Sequence, residues 1–183
     1  HHEITYPQDA APDESRAYKR NNFIYALRGA NTLLEIGFNA GHSALLALTL
    51  FPQLVYLGVD NHRHRYTAAC VEYLNDVFGR RFRVLNGNSQ DILPLLASQN
   101  LGIKPDLIHI DGGHDKDICQ QDLTNALRLS DDYTRILIDD LNLPDIRNVL
   151  NDFVQTKRLR LPPLVKEWAG VDQALAAPPA PAV

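Results

Sequence analysis

A chain of 183 residues with 22 acidic and 18 basic side chains, a net charge of -4 and a pI near 5.9 has the size of one domain. It offers no electrostatic footprint for a phosphate backbone, which argues against a nucleic-acid partner. Hydrophobic residues at 45% and charged residues at 22% fit a globular domain with a sizeable core, and no run of about 18 apolar residues exists to span a bilayer.

Cys70 and Cys119 fall within predicted helices and lack Cys-x-x-Cys spacing. That pattern speaks against a disulfide framework or a zinc site and fits a reducing, cytoplasmic setting. The chain opens His-His-Glu and contains no methionine, so His1 and His2 are set aside and targeting information ahead of them is left open.

In chain order, residues 1–14 read as a loop rich in Pro, Asp and Ala, and Ser15 to Leu27 as a helix carrying Phe23, Ile24 and Leu27, expected beside the first strand. Leu33, Leu34 and Ile36 read as a buried parallel strand and Ala44 to Leu50 as a helix, so Gly37-Phe38-Asn39-Ala40-Gly41 must turn the chain between them. Gly37 and Gly41 permit positive φ and a close ligand approach, while the free amides of the helix start favour a negative group. Glu35, just before the turn, would repel a pyrophosphate but pair with an ammonium, which suits an amino-acid-bearing nucleotide better than NAD.

Leu54 to Asp60 is a second apolar run ending in an acid. An acid about 20 residues beyond a glycine turn can accept hydrogen bonds from both ribose hydroxyls, with Asn61 beside it; alternatively Asp60 or Asn61 caps the next helix. That helix, Arg63 to Phe78, places Cys70, Leu74 and Val77 on one face and closes at Gly79. Arg81 to Asn86 reads as the third strand, and Gly87-Asn88-Ser89 as a turn in which Ser89 suits an N-cap for Gln90 to Ser98.

Lys104 to His114 comprises the fourth strand and its exit loop. His109, between Ile108 and Ile110, reads as an interior residue. Asp117 to Leu129 forms a helix with Cys119, Leu123, Ala126 and Leu127 inward, and Thr134 to Asp140 a fifth strand ending in Asp139-Asp140. Adjacent carboxylates at a buried strand end repel unless something positive sits between them and Asp111, for which a divalent cation is the natural candidate. Alternatively Asp139 faces a loop and Asp140 caps the following helix, Leu143 to Phe153.

Arg158 to Val165 and Val171 to Ala176 could close the sheet as an antiparallel pair, with Pro162-Pro163 confining the first to an edge. Trp168 could line a substrate pocket or anchor the last strand. Residues 177–183 read as an Ala/Pro tail after a domain spanning 15–176. Strands alternating with helices imply a doubly wound, mostly parallel α/β sheet with its ligand crevice at the carboxyl ends of the strands, where Glu35, Gly37, Asp60, Asn88, Asp111 and Asp139 collect.

The spacing Glu35-x-Gly37-x-x-x-Gly41 resembles the first motif of class I S-adenosylmethionine-dependent methyltransferases. The wider string Leu34 to Ser43 is similar to the small-molecule O-methyltransferase branch. Asp106-Leu-Ile-His-Ile-Asp-Gly-Gly-His114 looks like the Asp-Gly-(Asp/Gly)-His signature of a bacterial family related to the metal-dependent catechol-type enzymes. The resemblance covers about Ser15 to Phe153 and implies a seven-stranded Rossmann-like sheet.

It further implies S-adenosylmethionine held by Glu35, Gly37, Phe38, Asn39, Gly41 and Ser43, with the ribose at Asp60 and Asn61, the adenine at Asn88 and Ser89, and Asp111 against the cofactor. The Gly-Asn-Ser here departs from the family's usual Gly-Asp-Ser. Asp111, Asp139 and Asp140 match the positions of the family's ligands for Mg²⁺ or another divalent ion, although metal-independent relatives keep similar acids. His114 stands where the catechol-type enzymes carry a lysine that takes the proton from the acceptor hydroxyl.

The implied partner is a small-molecule acceptor, without nucleic acid or membrane, and the oligomeric state is open between monomer and homodimer. A NAD-dependent oxidoreductase lacks its Gly-x-Gly-x-x-Gly here, and a base-modifying N-methyltransferase lacks its Asn/Asp-Pro-Pro-Tyr/Phe stretch. A module that binds the cofactor without catalysis is separated from an enzyme only by assay.

Overall fold

The computed structural model describes residues 17–98, 104–163 and 168–179. The expected N-terminal loop, the Ser15 helix start, the end of the Arg158 to Val165 strand and the end of the tail lie outside them. Helix α1 (Ala17–Leu27) precedes strand β1 (Thr32–Ile36), followed by α2 (His42–Leu50), β2 (Val55–Asp60), α3 (Thr67–Phe78) and, after one 3₁₀ turn, β3 (Phe82–Asn86). The second half runs α4 (Ser89–Ser98), β4 (Leu107–Ile110), α5 (Lys116–Leu129), β5 (Arg135–Ile138), α6 (Pro144–Gln155) and β6 (Ala174–Ala176).

The strands hydrogen-bond in the order β3-β2-β1-β4-β5-β6, all parallel except β6, which runs antiparallel to β5. Six strands are therefore present among the described residues rather than seven. Of the expected second closing strand, Arg160 makes one isolated antiparallel bridge to Ala177, and Pro162 and Pro163 have no amide hydrogen with which to extend it.

The strands divide the core in two by simple alternation. Leu34, Ile36, Ile108, Ile110, Ile136 and Ile138 pack against Leu93, Leu123, Val149, Leu150 and Phe153 on the face covered by α4, α5 and α6. Leu33, Tyr56, Phe82, Leu107 and Leu137 pack against Phe23, Leu27, Ala44 and Leu48 on the face of α1 and α2. Trp168 joins this second cluster, edge-on to Tyr25 at 6.4 Å, and so anchors the segment before β6.

Helix α1 packs in one cluster with Leu33 of β1 and crosses β4 and β5, its first turns lying over their carboxyl ends. The Phe23 ring is 5.0 Å from that of His109, and Asn22 donates to the Ala169 carbonyl and the Gln173 side chain. Helix α3 starts at Thr67, four residues later than its periodicity suggests. The Asp60 and Asn61 side chains cap the backbone amides of His62 and Arg63 within a loop in which His62 has a φ of 52°. Neither acid-end residue therefore caps the helix, whose buried face is Thr67 and Leu74, while Val77 is exposed.

Candidate active site

Backbone hydrogen bonds continue one residue past each central strand and keep the exit loops in register. Gly37 donates to Val59, Asp111 to Ile36, Asp139 to Ile110 and Gly87 to Asp60, at 2.9–3.0 Å. The chain order reverses between β1 and β4, which opens a crevice at this rim.

Gly37 is required on two counts. Its φ is +97°, and a Cβ there would lie 2.1 Å from the Asp111 carbonyl oxygen. At Gly41, with φ +77°, a Cβ would strike the Phe38 ring at 2.5 Å. The turn thus takes the positive φ values that its glycines suggest, and helix α2 begins directly after it at His42.

The rim carries two cavities. One, of about 640 Å³, is lined by Gly37, Asn39, Asp60, Asn61, Gly87, Asn88, Ser89, Asp111 and His114, together with the loop that follows β4. The other, of about 580 Å³, lies between α1 and α2 and is lined by Lys19, Phe23, Ser43, Leu45, Leu46, His109, Asp111 and Asp139. Asp111 lines both.

In the first cavity the Asp60 carboxylate accepts the Asn39 amide at 2.8 Å and the His62 amide at 2.7 Å, tying the glycine turn to the loop after β2. The Tyr66 hydroxyl donates to the Asn39 side chain at 2.5 Å and extends that tie. Each Asp60 oxygen holds one amide and keeps a lone pair for a further donor. The Asn88 carbonyl accepts the Asp91 and Ile92 amides of α4, so Asn88 stands at the helix cap and Ser89 is already helical.

Four residues expected at the cofactor do not line the polar crevice, one of them the buried Gly41. Phe38 is in the core, its ring 5.7 Å from that of Phe82. Ser43 lines the second cavity. Glu35 is buried inside the sheet, where it accepts a hydrogen bond from the Tyr56 hydroxyl and pairs with His109 Nδ1 at 2.8 Å. Glu35 and His109 are register partners on adjacent strands, on the same face, so two polar residues that look isolated in sequence satisfy one another.

His109 is the interior residue that its place in the strand suggests, with its second ring nitrogen buried without a hydrogen-bond partner and its side chain lining the α1–α2 cavity. Burial alone would pull the imidazole down, but the hydrogen bond and charge of Glu35 push it above its ordinary value.

The carboxylates after β4 and β5 surround a lysine. Lys19 Nζ is 2.5 Å from Asp139 Oδ1 and 3.7 Å from Asp140 Oδ1. Asp139 Oδ1 also accepts the Asp140 amide at 2.6 Å, and its Oδ2 accepts Gln173 Nε2 at 2.9 Å. Burial lowers the affinity of Lys19 for its proton, yet the Asp139 hydrogen bond and the charges of Asp139, Asp140 and Asp111 raise it on balance, so the group is an ammonium.

Asp140, at a φ of 60°, turns its other oxygen to His114 Nε2 at 2.8 Å, and His114 is 62% exposed. Asp140 therefore does not cap α6, whose cap position is Leu143, and Asp139, held by Lys19 and Gln173, does not simply face a loop. The donor atoms of His109, Asp111 and Asp139 come within 4.8 Å of one another, while Asp140 stays outside that group. Burial pushes the Asp111 carboxyl up to about 7, with His109 opposing and Asp139, Asp140 and Glu35 adding to the shift.

Residues 34–141 match the family model described as "Methyltransferase domain". The chain belongs to this methyltransferase family. No curated protein matches it, whereas solved structures do over most of its length. The O-methyltransferase from Bacillus cereus in complex with SAH is 18% identical over 94% of this chain and 84% of that one, with a TM-score of 0.67. The O-methyltransferase TomG from Streptomyces achromogenes, involved in tomaymycin synthesis and in complex with SAM, is 19% identical over 94% of this chain and 83% of that one, with a TM-score of 0.66. The apo TDP-rhamnose 3'-O-methyltransferase of calicheamicin biosynthesis is 14% identical over 90% of this chain and 80% of that one, with a TM-score of 0.70. At these identities the likeness is one of fold. Among the described residues of this methyltransferase, no helix is long and apolar enough to cross a membrane.

Proposed function

We propose that this methyltransferase moves the methyl group of S-adenosylmethionine to a hydroxyl oxygen of a small acceptor. The observation that carries the reading is Asp111, which lines both the polar crevice and the apolar cavity beside it. A donor in the first and an acceptor in the second would meet at that residue. The SAM- and SAH-bound O-methyltransferases of the same fold support the choice of cofactor and of oxygen as the acceptor atom.

The crevice residues fit the cofactor. Asp60 has lone pairs free for ribose hydroxyls, Gly37 lets the ligand approach the backbone, and Asn88 offers an amide that both donates and accepts. Bound there, S-adenosylmethionine would supply an activated methyl group whose carbon–sulfur bond breaks with its electron pair left on sulfur as the carbon–oxygen bond forms, and Asp111 would take the hydroxyl proton. The chain's own contribution is mostly alignment, since an in-line transfer gains most from fixed geometry. Phe23, Leu45 and Leu46 supply an apolar wall for the acceptor, and water leaves that wall when the acceptor binds.

His114 was the expected base, but it lines the cofactor crevice beside Asp140 rather than the acceptor cavity, so Asp111 is better placed for the proton. The expected all-oxygen Mg²⁺ site on Asp111, Asp139 and Asp140 does not fit the donor arrangement. The groups that converge are two carboxylates and an imidazole, and both oxygens of Asp139 are already engaged by Lys19 and Gln173. We therefore favour the metal-independent alternative and derive no step through a metal.

The test is to incubate the protein with isotopically methyl-labelled S-adenosylmethionine and a panel of small hydroxyl compounds. Label appearing in an ether product that Asp111→Asn fails to form is the expected result. Binding of the cofactor with no transfer to any acceptor would favour a non-catalytic binding module.

A further inference from the structure

Consecutive acids after β5 and a third after β4 need positive charge to share one buried rim. The charge comes from 120 residues upstream, through the Lys19–Asp139 hydrogen bond. Lys19 sits on α1, which Asn22 fixes to Ala169 and Gln173, and Gln173 in turn holds the second oxygen of Asp139. The ammonium is thus placed by a helix and a strand-entry segment locked together, and is not a loose surface side chain. Its own side chain is 21% exposed and that of Asp139 9%. Lys19 also lines the α1–α2 cavity, where its remaining N–H groups can face an acceptor oxygen.

We propose that the Lys19 ammonium occupies the position of a divalent cation in this methyltransferase: it neutralises Asp139 and Asp140, closes their oxygens to metal, and offers a positive donor to the acceptor in the α1–α2 cavity. The inference rests on the proposed function only for the identity of that acceptor; the closure to metal stands on the geometry alone.

Mn²⁺ is a suitable probe, because its free ion gives a paramagnetic resonance signal that disappears on binding. The chelator-stripped wild-type protein, Lys19→Met, Lys19→Gln, Asp139→Asn and the double variant Lys19→Met/Asp139→Asn are titrated side by side. Removing the ammonium should expose the carboxylates, so the Lys19 variants should bind one Mn²⁺ per chain at least about tenfold more tightly than wild type, and Asp139→Asn should abolish the gain. One Mn²⁺ held by the wild type as tightly as by the Lys19 variants, and lost in Asp139→Asn, would overturn the proposal, as would no gain in either Lys19 variant. If neither variant folds, the wild-type titration decides: Mn²⁺ uptake that Asp139→Asn abolishes overturns the proposal, and no uptake supports it. Calorimetric titration of S-adenosylhomocysteine into the same samples keeps the two readings apart. Absence of that binding in the wild type would count against the proposed function, while the Mn²⁺ result alone judges Lys19.

Discussion

Asp122 on α5 is fully buried, beneath Gly112, and neither carboxylate oxygen meets a donor in good hydrogen-bond geometry, although the Ser89 hydroxyl is close enough to favour its charged form. Burial pushes it from 3.8 to about 6, a shift that the Ser89 hydroxyl opposes only in part. Because its folded value lies above the unfolded one, the fold disfavours the charged form. The penalty is absent below about pH 4, grows through pH 4 to 6, and is full above about pH 7, so stability falls as pH rises. Two units are worth about 3 kcal/mol, of which about half is already present at pH 5. Asp122→Asn keeps the shape and removes the ionisation. In urea denaturation the variant should therefore gain on the wild type by about 1.5 kcal/mol between pH 5 and pH 8. Comparing the two proteins cancels the like-signed contributions of Asp111 and His109, whose raised values also make stability fall with rising pH. A stability difference that stays constant between pH 5 and pH 8 would refute the reasoning.

Three other perturbations follow from the site. Gly37→Ala must place a Cβ against the Asp111 carbonyl at positive φ and should cost at least about 2 kcal/mol in a thermal melt; an unchanged melting temperature would contradict the turn geometry. Glu35→Ala leaves the Tyr56 hydroxyl and both His109 ring nitrogens without partners in the sheet, and chemical denaturation should register a loss of about 3 to 5 kcal/mol. With an acceptor in hand, Asp111→Asn should lower kcat by about 100-fold or more and His114→Ala by less than about tenfold; the reverse ranking would return the proton to His114.

The parts of this structure that local chemistry dictates were legible in the sequence. The apolar runs ending in acids became β2, β4 and β5, Gly37 and Gly41 took the left-handed values that their turn needs, and Ile146, Val149, Leu150 and Phe153 formed the buried face of α6. What pairing across the chain dictates was not. Glu35 looked like a cofactor contact until β4 placed His109 opposite it, and the cation balancing Asp139 is a lysine on the first helix, which no spacing connects to β5. Phe38 lies in the ligand turn by sequence but packs against Tyr56 and Phe82 because the turn folds its ring back onto the sheet. The α3 start departs from its periodicity for a local reason: side-chain capping by Asp60 and Asn61 outcompetes the helix over the next residues.

The central claim is that the crevice bordered by Gly37, Asp60, Asn88 and Asp111 binds the nucleoside of S-adenosylmethionine. Isothermal calorimetry of S-adenosylhomocysteine and NAD, against wild type and Asp60→Ala, tests it most directly. We predict one S-adenosylhomocysteine per chain and no heat from NAD. Affinity should fall by about 10- to 100-fold in Asp60→Ala, since that change removes the charged acceptor and frees the Asn39 and His62 amides. Binding of NAD in place of S-adenosylhomocysteine, or affinity unaltered in Asp60→Ala, would contradict the account.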